Sequence, residues 1–288
     1  MKRLIVVMIA MSSLFGVSKT NAQVAVGVSV DVAPPAIPVY AQPPCPVEGY
    51  LWTPGYWYWG AAGYYWVPGV WVRPAHVGWL WTPGYWGWEG GHYWWHGGYW
   101  GDHVGFYGGV NYGFGYGGTG FCGGRWDGGA FRYNTAVWHT GAGFHNTYVD
   151  RTVIHENMNR TSYNGGNGGL NARPSAEEQS YARENHSSVT HEQQTHESSA
   201  AGNMHQRASF NGGHPSTTAR STVGGQRYNS NGNAMHAAAP RANGGMQRGG
   251  MQNRGGGAQR QAQPGRAMQH GGSRGSGGGM HAGGNGRR

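Results

Sequence analysis

The reading of the fold turns on LWTPGYWYWGAAGYYWVPGVW at 51–71 and LWTPGYWGWEGGHYWWHGGYW at 80–100. The heptapeptide LWTPGYW opens both, at an offset of 29 residues. The same offset carries Trp59 to Trp88, Tyr64 to Tyr93, Trp66 to Trp95, Gly69 to Gly98 and Trp71 to Trp100. Each copy holds a shorter unit twice, W-x-x-G-x-W. It occurs at Trp52/Gly55/Trp57, Trp66/Gly69/Trp71, Trp81/Gly84/Trp86 and Trp95/Gly98/Trp100. Short regular periods of this kind build stacked or meandering arrays.

The spacing predicts the geometry. Trp57 and Trp59 are two apart and share one face of a strand, as do Tyr64 and Trp66. Gly60-Ala61-Ala62-Gly63 between them reads as a four-residue turn, whose closure pairs Trp59 with Tyr64 and Trp57 with Trp66. In the second copy Glu89-Gly90-Gly91-His92 pairs Trp88 with Tyr93 and Trp86 with Trp95. A third hairpin pairs Trp126 with Phe131 around Asp127-Gly128-Gly129-Ala130. Each hairpin is a ladder of facing aromatics, worth roughly 0.2–1 kcal/mol per cross-strand pair. Pro54-Gly55, Pro68-Gly69 and Pro83-Gly84 suit type II turns that lead from one hairpin to the next, with glycine at positive φ. Gly98 follows Gly97 where the other units have proline, so the fourth turn is expected to differ. A lone hairpin is marginal in water, so the array must stack.

Composition narrows the class further. The chain has 288 residues, with 56 Gly, 14 Trp and 17 Tyr against five Leu and four Ile. That excludes a conventional aliphatic core; rings and valine must form it. The expected fold is all-β, with an aromatic hairpin meander at 48–133. A Thr/Asn-rich segment at 134–200 follows, with one short helix near 175–186, then a long disordered Gly/Arg-rich tail at 201–288. The helix rests on Ser175 and Glu178, which have capping-box spacing. Val149, Val153 and Ile154 suggest a short strand. In 23–47, Val24, Val26, Val28, Val30 and Val32 alternate as a strand does, and the prolines of 34–46 predict an extended linker.

Residues 1–22 read MKRLIVVMIAMSSLFGVSKTNA. Lys2 and Arg3 precede an apolar run at 4–17, and Thr20-Asn21-Ala22 approximates a small-x-small cleavage site. This predicts a signal peptide cut after Ala22. The run is shorter than the roughly 17–25 residues a membrane span needs, so no transmembrane anchor is expected. The expected location is the periplasm or the cell surface. Such compartments oxidise thiols. Cys45 and Cys122 bracket the aromatic block, and a disulfide between them would stabilise by roughly 4 kcal/mol. The alternative is two free thiols.

Charge is unevenly placed. Residues 201–288 hold 11 Arg and no acidic residue, whereas 1–200 hold 10 basic and 12 acidic ones. The net charge of +9 is therefore +11 in the tail and −2 elsewhere. Arg248-Gly249-Gly250 and Arg254-Gly255-Gly256 are of a kind that binds nucleic acid. Export directs such a tail to anionic envelope polymers or polysaccharide instead, with no specific nucleic acid. Open sheet edges would permit self-association.

Catalysis finds little support. His155-Glu156 lacks the second His of a zincin helix, and glycine motifs recur by composition alone. No catalytic residue and no cofactor are assigned. His92, His96 and His103 lie beside the array, and His186, His191 and His196 recur every five residues. Met235-His236 and Met280-His281 lie in the tail. Imidazole and thioether suit copper, so a periplasmic metal binder is one alternative. Five-residue spacing does not align on one helical face, and no metal ligand set is assigned. Tyr56 and Tyr58 oppose Trp57 and Trp59, which supplies aromatics to both faces. The ladder (Trp52, Trp57, Trp59, Trp66, Trp71, Trp81, Trp86, Trp88, Trp95 and Trp100) is thus either the core or a face on which sugar rings stack. A carbohydrate-binding module is the second alternative.

The four units resemble the YXWGXW (WXXGXW) repeat family of exported bacterial proteins. GYWGDHVGFYGGVNYGFGYGG at 98–118, GGRWDGGAFRYN at 123–134 and SYNGGNGGLNARPSAEE at 162–178 are similar to longer members. The resemblance implies an exported, non-enzymatic protein and brings no catalytic residue or cofactor. The expected role is that of an envelope-associated structural or interaction protein.

Overall fold

The structure is a computed structural model and describes residues 27–141, 143–152 and 159–223, with short strands at 227–228 and 234–235. The expected signal peptide, Val24, Val26, Val153 and Ile154 lie outside these residues. A two-residue strand β1 (Ser29–Val30) comes first. The first repeat then supplies β2 (Leu51–Thr53), β3 (Tyr56–Gly60), β4 (Gly63–Val67) and β5 (Gly69–Val72). The second supplies β6 (Leu80–Thr82), β7 (Tyr85–Glu89), β8 (His92–His96) and β9 (Tyr99–Gly101).

Each repeat is one antiparallel ribbon with an unbroken register. Leu51 opposes Val72, Trp52 opposes Trp71, Trp57 opposes Trp66, Trp59 opposes Tyr64 and Gly60 opposes Gly63. Both arms advance by the same number of residues, so no bulge intervenes. In the second copy Trp81 opposes Trp100, Trp86 opposes Trp95 and Trp88 opposes Tyr93. The predicted ring pairs therefore form. The tip loops are shorter than expected, because the flanking residues pair and only Ala61-Ala62 or Gly90-Gly91 remain. Gly90 and Gly91 both take positive φ, at 58° and 93°, as a tight primed hairpin turn requires.

The Pro-Gly pairs do not lead from one hairpin to the next. They lie mid-arm, where Pro54 faces Gly69 and Gly55 faces Pro68. Proline removes a ladder donor there, and the ribbon bends, so β2·β5 and β3·β4 belong to separate sheets. The third expected hairpin is β12 (Gly124–Asp127) with β13 (Ala130–Asn134), and Trp126 opposes Phe131. Before it run β10 (Asn111–Gly113) and β11 (Tyr116–Gly117). After it come β14 (Thr147–Tyr148), parallel to β13, and β15 (Tyr163–Asn164), parallel to β7 at Trp86.

Non-repeat segments close the ribbons. The proline-rich stretch is not a free linker. It is a strap whose carbonyls receive side chains of the ribbons: Trp57 Nε1 donates to Ala36 O at 3.0 Å, Trp71 Nε1 to Pro43 O at 2.8 Å. Arg160 Nε donates to Ile37 O at 2.6 Å and fixes the strap from its other side. The valine alternation yields only β1, which pairs with β8.

Two capped helices cover the bends. Helix α1 (Ala176–Tyr181) has the predicted capping box of Ser175 and Glu178. After β16 (His186–Ser187), which pairs with β9, comes the unexpected α2 (His191–Ala201). Its capping box is Thr190 and Gln193. Order also continues past residue 201. A 3₁₀ turn at Met204–Gln206 and α3 (Ala208–Asn211) lead to β17 (Ala219–Arg220), which lies parallel to β5. The expected tail thus begins no earlier than residue 224, and most of it lies outside the described residues.

The core is aromatic. Trp52, Trp57, Trp66, Trp71, Trp86, Trp100 and Trp138 are fully buried beside Tyr107, Tyr116 and Tyr133. Rings meet edge-on more often than flat: Trp52 and Trp71 lie 5.3 Å apart at 62°, Trp71 and Trp138 5.0 Å apart at 85°. That suits the ring quadrupole.

Candidate functional site

The ladder is the first place to look for function, because it concentrates the amphipathic rings. Most of it is closed. Trp52, Trp57, Trp66, Trp71, Trp81, Trp86 and Trp100 are buried, while Trp59 and Trp95 are half-buried. Buried indoles need acceptors, and the chain supplies them over long separations. Trp86 Nε1 donates to Trp57 O at 2.8 Å, Trp66 Nε1 to Thr218 O at 3.0 Å and Trp100 Nε1 to Gln193 Oε1 at 2.8 Å. Trp52 Nε1 is buried without a partner. Tyr116 sits between the copies and donates to Trp81 O at 3.1 Å, with Trp52 O at 3.4 Å. These carbonyls are the same position of each repeat. Burial pushes the Tyr112 and Tyr116 hydroxyls well above their ordinary range, so both stay neutral donors.

The ladder therefore serves packing, and an open ladder face is not present. Among the described residues the exposed indoles are Trp88 at 38% and, off the ladder, Trp94 at 37%. They lie on the second hairpin near its tip, on opposite faces.

The motif glycines have a different reason from the one expected. None of Gly55, Gly69, Gly84 and Gly98 takes positive φ. Each lies under an indole from the facing half-repeat. A Cβ on Gly55 would come 2.3 Å from Trp66 Cζ2, and one on Gly69 would come 2.4 Å from Trp52 Cζ2. Gly84 faces Trp95 at 2.5 Å and Gly98 faces Trp81 at 2.4 Å in the same way. The first Trp and the Gly of each unit are thus complements: one half-repeat's ring fills the gap the other's glycine leaves. The fourth unit repeats this geometry although Gly97 replaces proline.

A family model for the WXXGXW repeat matches residues 49–72 and 77–100. The chain carries two WXXGXW repeats. No curated protein matches the chain, and no solved structure does.

Around the WXXGXW repeats, the other candidate residues stay apart. Of the two alternatives for Cys45 and Cys122, the structure has the free thiols. Each has its own surroundings. Cys45 Sγ faces Val47 O at 3.2 Å, and burial pushes its thiol well up. Cys122 donates its N–H to Gly115 O at 3.0 Å and accepts from Asn134 Nδ2 at 3.0 Å. Among the described residues no three His, Cys, Asp or Glu side chains converge to hold a metal. His92 pairs with Asp31 and His103 with Glu184. His96 Nε2 lies 3.4 Å from Glu89 Oε1 without hydrogen-bond geometry, and burial lowers its pKa. His196 is buried, and its Nε2 lies 2.7 Å from Pro68 O. Met235 is in a described strand, while His236, Met280 and His281 lie outside the described residues.

Sequence reasoning passed over α2, which places Gln193, His196 and Glu197 against the WXXGXW repeats. Glu197 Oε2 accepts from Tyr56 OH at 2.6 Å, and burial raises the Glu197 pKa. A signal existed: Thr190 and Gln193 have capping-box spacing, as Ser175 and Glu178 do.

Proposed function

We propose that this is an exported, non-catalytic protein of the bacterial envelope. In this reading the WXXGXW ribbons form a rigid body, and the arginine-rich C-terminal sequence holds anionic envelope polymer. One observation carries it: most of the ladder indoles are consumed by the core, while the net positive charge lies after residue 223. The described body at 27–223 has more acidic than basic residues, while the sequence beyond 223 has nine Arg and no acid. An excess of fixed positive charge draws polyanions over a distance set by ionic screening.

The test is co-sedimentation of the full chain with purified cell-wall sacculi across a salt series. Binding is expected to weaken steadily with salt. A full-length variant with the arginines after residue 240 changed to glutamine should lose it at every salt concentration. Equal binding by that variant, or binding unchanged at high salt, overturns the proposal.

A further inference from the structure

The two repeats present the same surface to two different helices, and a helix side chain enters only one of them. In the first repeat, Thr53, Pro54, Tyr56 and Pro68 face α2. His196 enters from α2 and bonds Pro68 O, and the space left beside it measures about 20 Å³; Pro54 and Tyr56 also border a separate space of about 230 Å³ shared with the second repeat. The residues at the same repeat positions in the second copy are Thr82, Pro83, Tyr85 and Gly97. They face α1, and the space between measures about 360 Å³.

Two differences make that room. Helix α1 presents Ala182 and Gln179 toward the cleft and has no counterpart of His196. Gly97 stands where the first repeat has Pro68, and nothing in the fold requires glycine there. Its φ is not positive, and a Cβ would meet only Trp95 Nε1, at 4.0 Å. The other glycines of the bend collide with indoles; this one leaves open space.

The cleft also holds an unused acceptor. Glu178 lines it and is only 8% exposed. Its Oε2 caps α1 through Ser175 N at 2.8 Å, while Oε1 is buried without a partner. An orphan carboxylate oxygen is costly unless a donor reaches it.

We propose that this cleft binds a neutral saccharide. The cleft at the first repeat shows what the surface accepts: a ring bearing a hydrogen-bond donor, the His196 imidazole. No Lys or Arg lines the open cleft, which disfavours an anionic ligand. Tyr85 already stacks on His96 at 4.5 Å and 7°, and Gly108 lies close against the ring. The Tyr85 ring thus has no free face for a compact cation. Ring edges, Tyr85 and Tyr99, Gln179 and the Glu178 carboxylate remain, a set suited to several hydroxyls. The site is separate from the arginine-rich sequence, so it stands or falls independently of the envelope reading.

The experiment is titration of the full-length protein with maltotriose, cellotriose and triacetylchitotriose, followed by calorimetry, with choline as the cationic probe. Saturable binding of at least one trisaccharide is expected, with no response to choline. Gly97→Pro restores the residue of the other three units and Ala182→Leu fills the cleft from α1. Each should weaken binding at least tenfold while the unfolding midpoint stays near that of the parent. Absence of binding by all three sugars, binding of choline alone, or sugar binding unaffected by both variants overturns the proposal.

Discussion

At the scale of the residue, the W-x-x-G-x-W unit is a rule about volume. An indole and a hydrogen atom occupy one gap between them, which explains why the glycine is fixed while its φ is ordinary. Indole chemistry adds a second layer. Trp86 Nε1 has an acceptor in Trp57 O, whereas Trp52 Nε1 has none. Replacing each with phenylalanine removes similar volume but different polarity. Trp86→Phe also strands a buried carbonyl, which costs roughly 1–3 kcal/mol. Trp52→Phe removes a donor that was already unsatisfied. Urea unfolding of the two variants should therefore place Trp86→Phe lower in stability, by about 1 kcal/mol or more. Equal losses would mean that the hydrogen bond contributes nothing beyond ring packing.

At the scale of the element, α2 is fastened by a histidine. The neutral His196 ring donates to Pro68 O, and desolvation, with Arg220 nearby, lowers its pKa below the ordinary 6.5. The unfolded chain then takes up the proton first. The contribution of His196 is whole above about pH 6.5 and declines as pH falls below that value toward the folded pKa. Glu197 is raised by burial and works in the opposite sense, losing stability as pH rises through its folded pKa. His196→Gln keeps a donor for Pro68 O and removes the titration. The stability difference between parent and variant should shrink or reverse between pH 7 and pH 5, measured by denaturant unfolding; a constant difference would remove His196 from the account. The hairpin registers were legible in the sequence because period-two spacing and the tip glycines are local. Pairing Trp57 with Trp66 needs only nine residues of chain. The bends were misread, because Pro-Gly serves a turn and a mid-arm kink equally well. The partners of Pro54 and Gly55 are known only once the register is. The strap and the segment leading into β17 were missed for a related reason: Pro43 and Thr218 act through backbone carbonyls, and a carbonyl leaves no signature in residue type.

At the scale of the molecule, the body stands without a covalent crosslink, since its cysteines are separate. An alkylating reagent should leave Cys45 unlabelled in the folded protein. In denaturant without reductant it should label both thiols, as read by mass. Failure to label either thiol there would establish a disulfide after all. Stability rests instead on strips from distant sequence that finish each ribbon edge, as sheet edges generally need.

The bond from Trp86 Nε1 to Trp57 O has a matching bond below it, from Trp57 Nε1 to Ala36 O. Each repeat grips the one before it by the same atom, head to tail, and such a join does not close on itself. Nothing within it counts copies. The number of layers is set by the two terminators, the strap at Ala36 and β15 alongside Trp86. A tandem duplication of one 29-residue unit would make the same grip once more and lengthen the body by one layer. Deletion of a single residue from one arm would instead turn every ring beyond it to the wrong face. Whole units are thus the natural increment in which such a chain grows.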